Sequence, residues 1–404
     1  MTGPTSLQAP SLPMGDSCPM CGAPTGEVFF EFADVPVFCN VLWPDVDAAR
    51  TATCGDIELT CCSSCGLIFN RAFSPAAVEY APGYENALHF SETFREFAEE
   101  MADHLVNTYK LQGKVAAEIG CGDAYFLRLL CRRGVRQGIG FDPSVHDKTA
   151  VSSAGPNIEI VPNLFDAKRL PPQVDAVLCR HVLEHIAEPV DFLMDVRHAL
   201  GDRDALLYFE VPNAQWMLEA RSLWDVIYEH CTYWTPLTLT ALFRRCGFEP
   251  LAVRSGFGGQ YLMIEARPAP LQSGASDPNP GDLDRLSELS RQFGQDSSNK
   301  LKAWGERLAE LAERGESAAV WGAGSKGITF MNAVGGAGQA VCCVVDVNPR
   351  KHGQYVARRC LPVVAPEDLG ALRPDMVLIM NKLYEAEIRQ KLLDMGVTAE
   401  IGCV

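Results

Sequence analysis

Glu229 and His230 stand side by side inside an aromatic run, Ile227-Tyr228-Glu229-His230-Cys231-Thr232-Tyr233-Trp234-Thr235. Polar groups buried among rings need a partner or a purpose. An imidazole beside a carboxylate can be poised near neutral pH to remove a proton from a substrate. The plain structural alternative is a histidine whose ring caps the helix that Thr235-Pro236 would start. A second group, His181-Val182-Leu183-Glu184-His185, would put two imidazoles on one face if helical. That suggests a metal pair, but the order is H-x-x-E-H and no third ligand is evident, so a catalytic metal is set aside.

Thiols form the next group. Cys18, Cys21, Cys39, Cys54, Cys61, Cys62 and Cys65 crowd the start of a chain whose other cysteines are scattered. Cys18-Pro-Met-Cys21 and Cys62-Ser-Ser-Cys65 are two CxxC turns, each followed by a glycine (Gly22, Gly66) that lets the backbone turn tightly. Two such turns supply four thiolates for tetrahedral Zn²⁺, with no open position for water, so the metal would be structural. Cys61 competes with Cys62 but lacks the spacing.

These groups need elements to position them. Val115 to Ile119 reads as a strand, Gly120-Cys121-Gly122 as a turn, and Phe126, Leu127, Leu129 and Leu130 as the apolar side of a helix; Gln137 to Phe141 is a second strand ending in Asp142. The glycines allow a ligand close to the backbone, and Asp142 can take two ribose hydroxyls. Val174 to Cys179 and Ala205 to Val211 read as further strands. A Pro/Ser/Gly/Asp-rich linker (268–281) leads to an amphipathic helix from about Asp282 to Arg314, with Leu283, Leu286, Leu289, Phe293, Leu301, Leu308 and Leu311 at helical spacing. Ala318 to Trp321 then enters Gly322-Ala323-Gly324-Ser325-Lys326-Gly327, and Val341 to Val345 ends in Asp346. By itself this second β-α-β fingerprint suggests NAD binding and an oxidoreductase. Met376 to Met380 is another strand, with Asn381 at its carboxyl end, where such sheets bind ligands.

Composition narrows the class. The 404 residues are 47% hydrophobic and 21% charged, which fits a multi-domain globular protein. A net charge of −16 disfavours nucleic acid and anionic membranes as partners. No apolar run is long enough for a membrane span, and residues 1–15 lack a leader pattern, so a soluble cytoplasmic protein is expected.

The segments EIGCGDA, GFDPS and VDAVLCRHVLEHI, in this order, resemble class I S-adenosylmethionine-dependent methyltransferases. The likeness implies that Glu118, Gly120 and Gly122 border the methionine part of the cofactor. It also implies that Asp142 binds the ribose, Asn163 and Leu164 meet the adenine, and His181 lies near the methionine end. Together with the CxxC pairs, Glu229-His230 and the C-terminal glycine turn, the chain from Cys18 onward is similar to deoxysugar C-methyltransferases, which act on nucleotide-linked 4-keto sugars in antibiotic sugar biosynthesis. In that family the residue matching His230 is the candidate base, with the match of Glu229 nearby. Gly322, Gly324 and Lys326 would hold the pyrophosphate, and Asn381 would face the substrate. The sequence departs from the family in two places. Ile227 stands where the family has tyrosine, with Tyr228 one place later, and Tyr84 or His89 would replace the family's tyrosine after the zinc module. His185 joins these catalytic candidates.

The expected architecture is α/β: a zinc module over 16–75, a Rossmann-like methyltransferase core over 76–267, and a doubly wound C-terminal domain over 282–404. Methylation of oxygen or nitrogen on another small metabolite is the nearer alternative, and NAD(P)-dependent oxidation the more distant one.

Overall fold

Every residue of β4 (Val115–Ile119) is buried, the glutamate included. Its side chains alternate between two layers. Val115, Ala117 and Ile119 pack with residues of helices Pro189–Leu200 and Pro236–Arg245, while Ala116 packs with residues of helices Glu92–Tyr109 and Tyr125–Arg132. A strand covered on both faces reads as a near-continuous apolar run, which is why this segment is so plain in the sequence.

The protein is described by a computed structural model over residues 14–78, 86–145, 155–270 and 278–404. Around β4 lie β5 (Gln137–Phe141), β6 (Ile158–Val161), β7 (Ala176–Arg180), β8 (Leu206–Pro212), β10 (Phe248–Gly256) and β11 (Tyr261–Pro268). Their order is β10-β11-β8-β7-β4-β5-β6, and only β11 runs against the rest. This is the class I methyltransferase sheet anticipated above.

The N-terminal sheet is antiparallel: β1 (Val28–Pro36), β2 (Cys54–Cys61), β3 (Ile68–Asn70), and then β9 (Thr232–Tyr233). The fourth strand comes from the core, just after Glu229-His230, with Ile68 opposite Tyr233 and Phe69 opposite Thr232. The C-terminal sheet is parallel, ordered β14-β13-β12-β15-β16: β12 is Ala318–Trp321, β13 Val341–Val345, β14 Val363–Val364, β15 Met376–Ile379 and β16 Glu400–Cys403. Side chains from its two faces join separate apolar clusters, as double winding requires.

The helix Pro280–Glu313 ties the two outer sheets together. Leu286, Phe293, Leu308 and Leu311 are buried in one cluster with Phe30, Ile57 and Leu59 of the N-terminal sheet and Phe330 of the C-terminal domain. Its Gly294 lies so close to β1 that a Cβ there would sit 1.7 Å from the carbonyl oxygen of Phe29. Among the described residues no helix is long and apolar enough to cross a membrane.

Candidate active site

The glycine turn after β4 takes its shape from positive φ at Gly120 (+72°) and Gly122 (+51°). Side chains are excluded at Gly120, where a Cβ would sit 2.2 Å from Val182 Cγ2, whereas Gly122 faces open space. Asp142, at the tip of β5, accepts from the Gly122 amide (2.7 Å) and from the amide and hydroxyl of Ser144 (2.8 and 2.6 Å). Its two oxygens retain lone pairs for vicinal hydroxyls. Glu118 Oε2 is buried and has no partner, and burial pushes its carboxyl up to about 8. Asn163 and Leu164 follow β6, and Leu164 is 65% exposed, an apolar surface available to a flat ring. A polar orphan, an open glycine turn, a ribose-type acid and an exposed leucine fit an adenosine cofactor with a charged amino-acid end.

Beneath that end lies a buried polar knot that sequence reasoning missed. Arg180 Nη2 is 2.9 Å from Glu210 Oε1, Tyr208 donates to Glu210 Oε2 (2.6 Å), and the Arg180 guanidinium sits 4.2 Å from the centroid of Phe126. His181 Nε2 lies 3.0 Å from Glu210 and Nδ1 lies 3.6 Å from Glu184. Burial alone would lower the His181 pKa, but Glu184 and Glu210 outweigh it and push it up to about 9. For Glu210, burial is overcome by Arg180 and His181, which hold it at about 2. The one visible signal was a charged residue, Glu210, inside the apolar strand Leu206–Pro212.

From His181 a cleft of about 1440 Å³, counting its open mouth, runs to the C-terminal glycine turn. Its walls include His181, Glu184, His185 and His230 on the core side and Gly322, Gly324, Lys326 and Asn381 on the C-terminal side. The segment 181–185 is not the helix expected: His181 has φ +54°, and only a short 3₁₀ turn, Leu183–His185, follows. The left-handed residue breaks the helix where Val182 must pack over Gly120. Both histidines still line the cleft, and His185 and His230 rings are 5.0 Å apart at 76°.

His185 Nδ1 lies 2.9 Å from the carbonyl of Glu229, so the proton sits on that nitrogen. His230 Nδ1 is buried without a hydrogen-bond partner. Burial, then the charges of His185, His181 and Lys326, lower the His230 pKa well below its usual value, so its imidazole is neutral. A nitrogen or oxygen from each of Glu184, His185 and His230 lies within 4.8 Å of the others, but His181 is not in that group, so the His181–His185 pair gains no third ligand.

Three other catalytic candidates are placed elsewhere. Glu229 turns towards the loop after β1, where Oε2 accepts from the Cys39 amide at 2.7 Å, and burial raises its pKa to about 7. Tyr228 also turns towards the N-terminal unit: its hydroxyl accepts from the Ser74 amide (3.0 Å) and its ring covers Gly55. Residues 227–230 form a tight turn in which the His230 amide donates to the Ile227 carbonyl (3.2 Å), and of the Glu229-His230 pair only His230 lines the cleft. His89 stacks on Tyr125 (4.6 Å) and lies 3.6 Å from Asp123, beside the first glycine turn rather than along the cleft. Tyr84 lies outside the described residues. Tyr261 and Gln260 do line the cleft, from the start of β11, with Tyr261 edge-on to His181 at 4.5 Å.

On the C-terminal side, Asn381 and Gln260 exchange two amide hydrogen bonds of 2.9 Å, a clasp between the two Rossmann-like sheets. Gly327 supports the turn, since a Cβ there would be 2.0 Å from the Gly322 oxygen. Asp346 accepts from the Ala323 amide (2.9 Å), and buried Lys351 donates to the Ala323 carbonyl (2.9 Å) with Asp346 3.5 Å away. The lysine partly neutralises the acid that a nicotinamide dinucleotide would use for its ribose.

The four CxxC thiols converge. Cys18 and Cys65 sulfurs are 3.5 Å apart, as are those of Cys21 and Cys62, and all four lie within 4.8 Å of one another. Tetrahedral zinc with thiolate bonds of about 2.3 Å needs sulfurs roughly 3.8 Å apart, so the cage has the right size. Cys61 points to the Gly66 carbonyl instead.

Comparison with known proteins finds likenesses for the two larger units. Residues 92–253 match a family model described as a methyltransferase domain, and residues 282–398 one described as a C-methyltransferase C-terminal domain. Over 394 residues the chain is 23% identical to the C-methyltransferase NovU of Streptomyces niveus, covering 92% of this chain and 91% of that protein. A tRNA U34 carboxymethyltransferase of Campylobacter hominis is 28% identical over 133 residues, which span 31% of this chain and 47% of that protein. The solved 1,6-didemethyltoxoflavin-N1-methyltransferase of Burkholderia thailandensis covers 50% of this chain at 18% identity, with a TM-score of 0.34.

Proposed function

We propose that this chain, an S-adenosylmethionine-dependent methyltransferase by the domains it carries, methylates a carbon beside the ketone of a nucleotide-linked 4-keto deoxysugar. The observation that carries the reading is the single cleft joining His181 and His230 to the second glycine turn. A sugar nucleotide has a reacting ring at one end and a diphosphate and base at the other, which is the layout of that cleft. The relative NovU is a C-methyltransferase by name, and the C-terminal match has the same description.

The cofactor, when bound, supplies a methyl on a sulfonium, an electrophile that carbon can take. Glu118, the Gly120–Gly122 turn and Asp142 would hold it, with Asn163 and Leu164 at the adenine and His181 at the methionine end. His230 is the base: neutral, buried and beside the ring, it accepts the proton next to the ketone. Glu229 is a positioning residue that fastens the His230 loop to the loop after β1, and Tyr233 closes the His230 loop through its hydroxyl to Ile227 (3.1 Å to the carbonyl). Ile227 offers no hydroxyl to the reacting end. Gly322 and Gly324 expose the helix start of Ser325–Val334 to the diphosphate. Zn²⁺ on Cys18, Cys21, Cys62 and Cys65 stiffens the sheet that β9 joins.

The test uses methyl-labelled S-adenosylmethionine and a thymidine-diphosphate 4-keto-6-deoxy sugar, with the product read by mass spectrometry. One label per sugar, on carbon by NMR, is expected. A label on oxygen or nitrogen of another small metabolite, with none on this sugar, contradicts the reading. Turnover with a nicotinamide cofactor alone would return the second glycine turn to dinucleotide chemistry.

A further inference from the structure

Lys326 is the second residue of the helix Ser325–Val334, directly after the glycine turn, so the sequence sends it to the diphosphate. The structure sends it further along the cleft. Its ammonium is ion-paired with Asp225, on the short 3₁₀ turn Leu223–Asp225 that leads into the His230 loop, and lies 5.6 Å from the Trp216 ring. Both partners are mostly buried, at 15% and 23% side-chain exposure. Asp225 and His230 together line the main cleft and a small side pocket with Gln260. Asp225 Oδ2 is buried without a partner. An ammonium has three donors, and Asp225 engages only one side of it.

Among the described residues at the reacting end the other positive group is His181, and its two ring nitrogens face Glu184 and Glu210. The His185 Nδ1 proton is committed to the Glu229 carbonyl, and Ile227 contributes nothing polar. Of the other lysines lining the cleft, Lys351 is bonded beneath the glycine turn, and Lys391 is on the helix Glu385–Asp394 with Ile388. A histidine removes a proton beside a ketone only if the developing oxyanion is stabilised.

We propose that Lys326 is a catalytic residue whose ammonium, held by Asp225, stabilises the enolate oxygen, so that the C-terminal domain completes the reacting end. The inference rests on the keto-sugar reading above. His230 takes the proton, the C–H pair becomes the C=C bond, and the carbonyl π pair moves to oxygen beside Lys326. When the carbon takes the methyl, the pair that joined methyl to sulfur stays on sulfur, the carbonyl re-forms, and the proton leaves His230 for solvent. No group changes oxidation state overall.

The experiment separates enolisation from methyl transfer. Full-length wild type and K326M are placed in heavy water with the thymidine-diphosphate 4-keto-6-deoxy sugar, without S-adenosylmethionine, and loss of the proton beside the ketone is followed by NMR. Binding of thymidine diphosphate is measured in parallel by calorimetry. Exchange in K326M is expected to slow by roughly 10²–10³-fold, the size of losing one oxyanion donor, with nucleotide affinity unchanged. Tenfold weaker nucleotide binding with normal exchange would make Lys326 a diphosphate ligand and overturn the proposal, as would normal values for both. K326Q keeps a donor for Asp225 and gives the same reading if K326M does not fold. Wild type that neither binds nor exchanges the probe contradicts the keto-sugar reading first, visibly before any variant is made, and removes this inference with it.

Discussion

A histidine serves as a base only in its neutral form, and the surroundings of His230 enforce that form. Burial and the nearby positive groups lower its pKa, so the acid limb of kcat/KM should lie below the ordinary histidine value of about 6.5. Activity should therefore persist into mildly acidic buffer; a limb at or above 6.5, read from a pH–rate profile, would contradict the environment described. H230Q should lower kcat by about 10²–10⁴-fold while S-adenosylmethionine still binds, as calorimetry can show. Full activity in H230Q would remove it as the base. At this scale the sequence was half legible. His230 and the glycine turns follow local patterns. The opposite facings of Tyr228, Glu229 and His230 depend on a turn that one-dimensional spacing does not encode, and Tyr261 and Arg180 come from strands distant in sequence from His230.

Elements carry the loop on which His230 rides. Strand β9 pairs with β3, Glu229 is fastened to the Cys39 amide and Tyr228 to the Ser74 amide, so the cysteine-bearing N-terminal unit acts as a brace for the His230 loop. Replacing Cys62 with Ser should release zinc, measured by metal analysis, and lower kcat more than cofactor affinity. C61S should keep its metal, because Cys61 points to the Gly66 carbonyl; zinc loss in C61S with retention in C62S would reverse the ligand assignment. The long helix is the second brace. In G294A the added methyl would collide with the Phe29 carbonyl, so a loss of about 1–3 kcal/mol is expected by denaturant unfolding. An unchanged midpoint would mean that the helix and β1 separate freely. The helix itself was plain from its apolar spacing, as were β5, β12 and β13. The strand of two residues at β9 was not, because it exists only by pairing with a distant sheet.

For the whole molecule, the parallel sheets and their glycine turns were legible because each is a local strand-turn-helix pattern repeated twice. How the core and C-terminal sheets share one cleft, with the N-terminal sheet packed against them, was not. That arrangement rests on contacts across the chain: Gln260 with Asn381, Lys326 with Asp225, and Phe30 with Phe293. Each pair joins residues whose neighbours in sequence give no sign of the other. The consequence is one enclosure faced by His181, His230 and the second glycine turn, and under the proposed function carbon methylation through an enolate is the chemistry that uses all three. The most direct test is proton NMR of the complete reaction in heavy water, with the thymidine-diphosphate 4-keto-6-deoxy sugar and S-adenosylmethionine. The account predicts that the proton beside the ketone disappears and that a new methyl signal arises on the same carbon. A methylated product whose proton beside the ketone is retained would contradict the enolate route and, with it, the role given to His230.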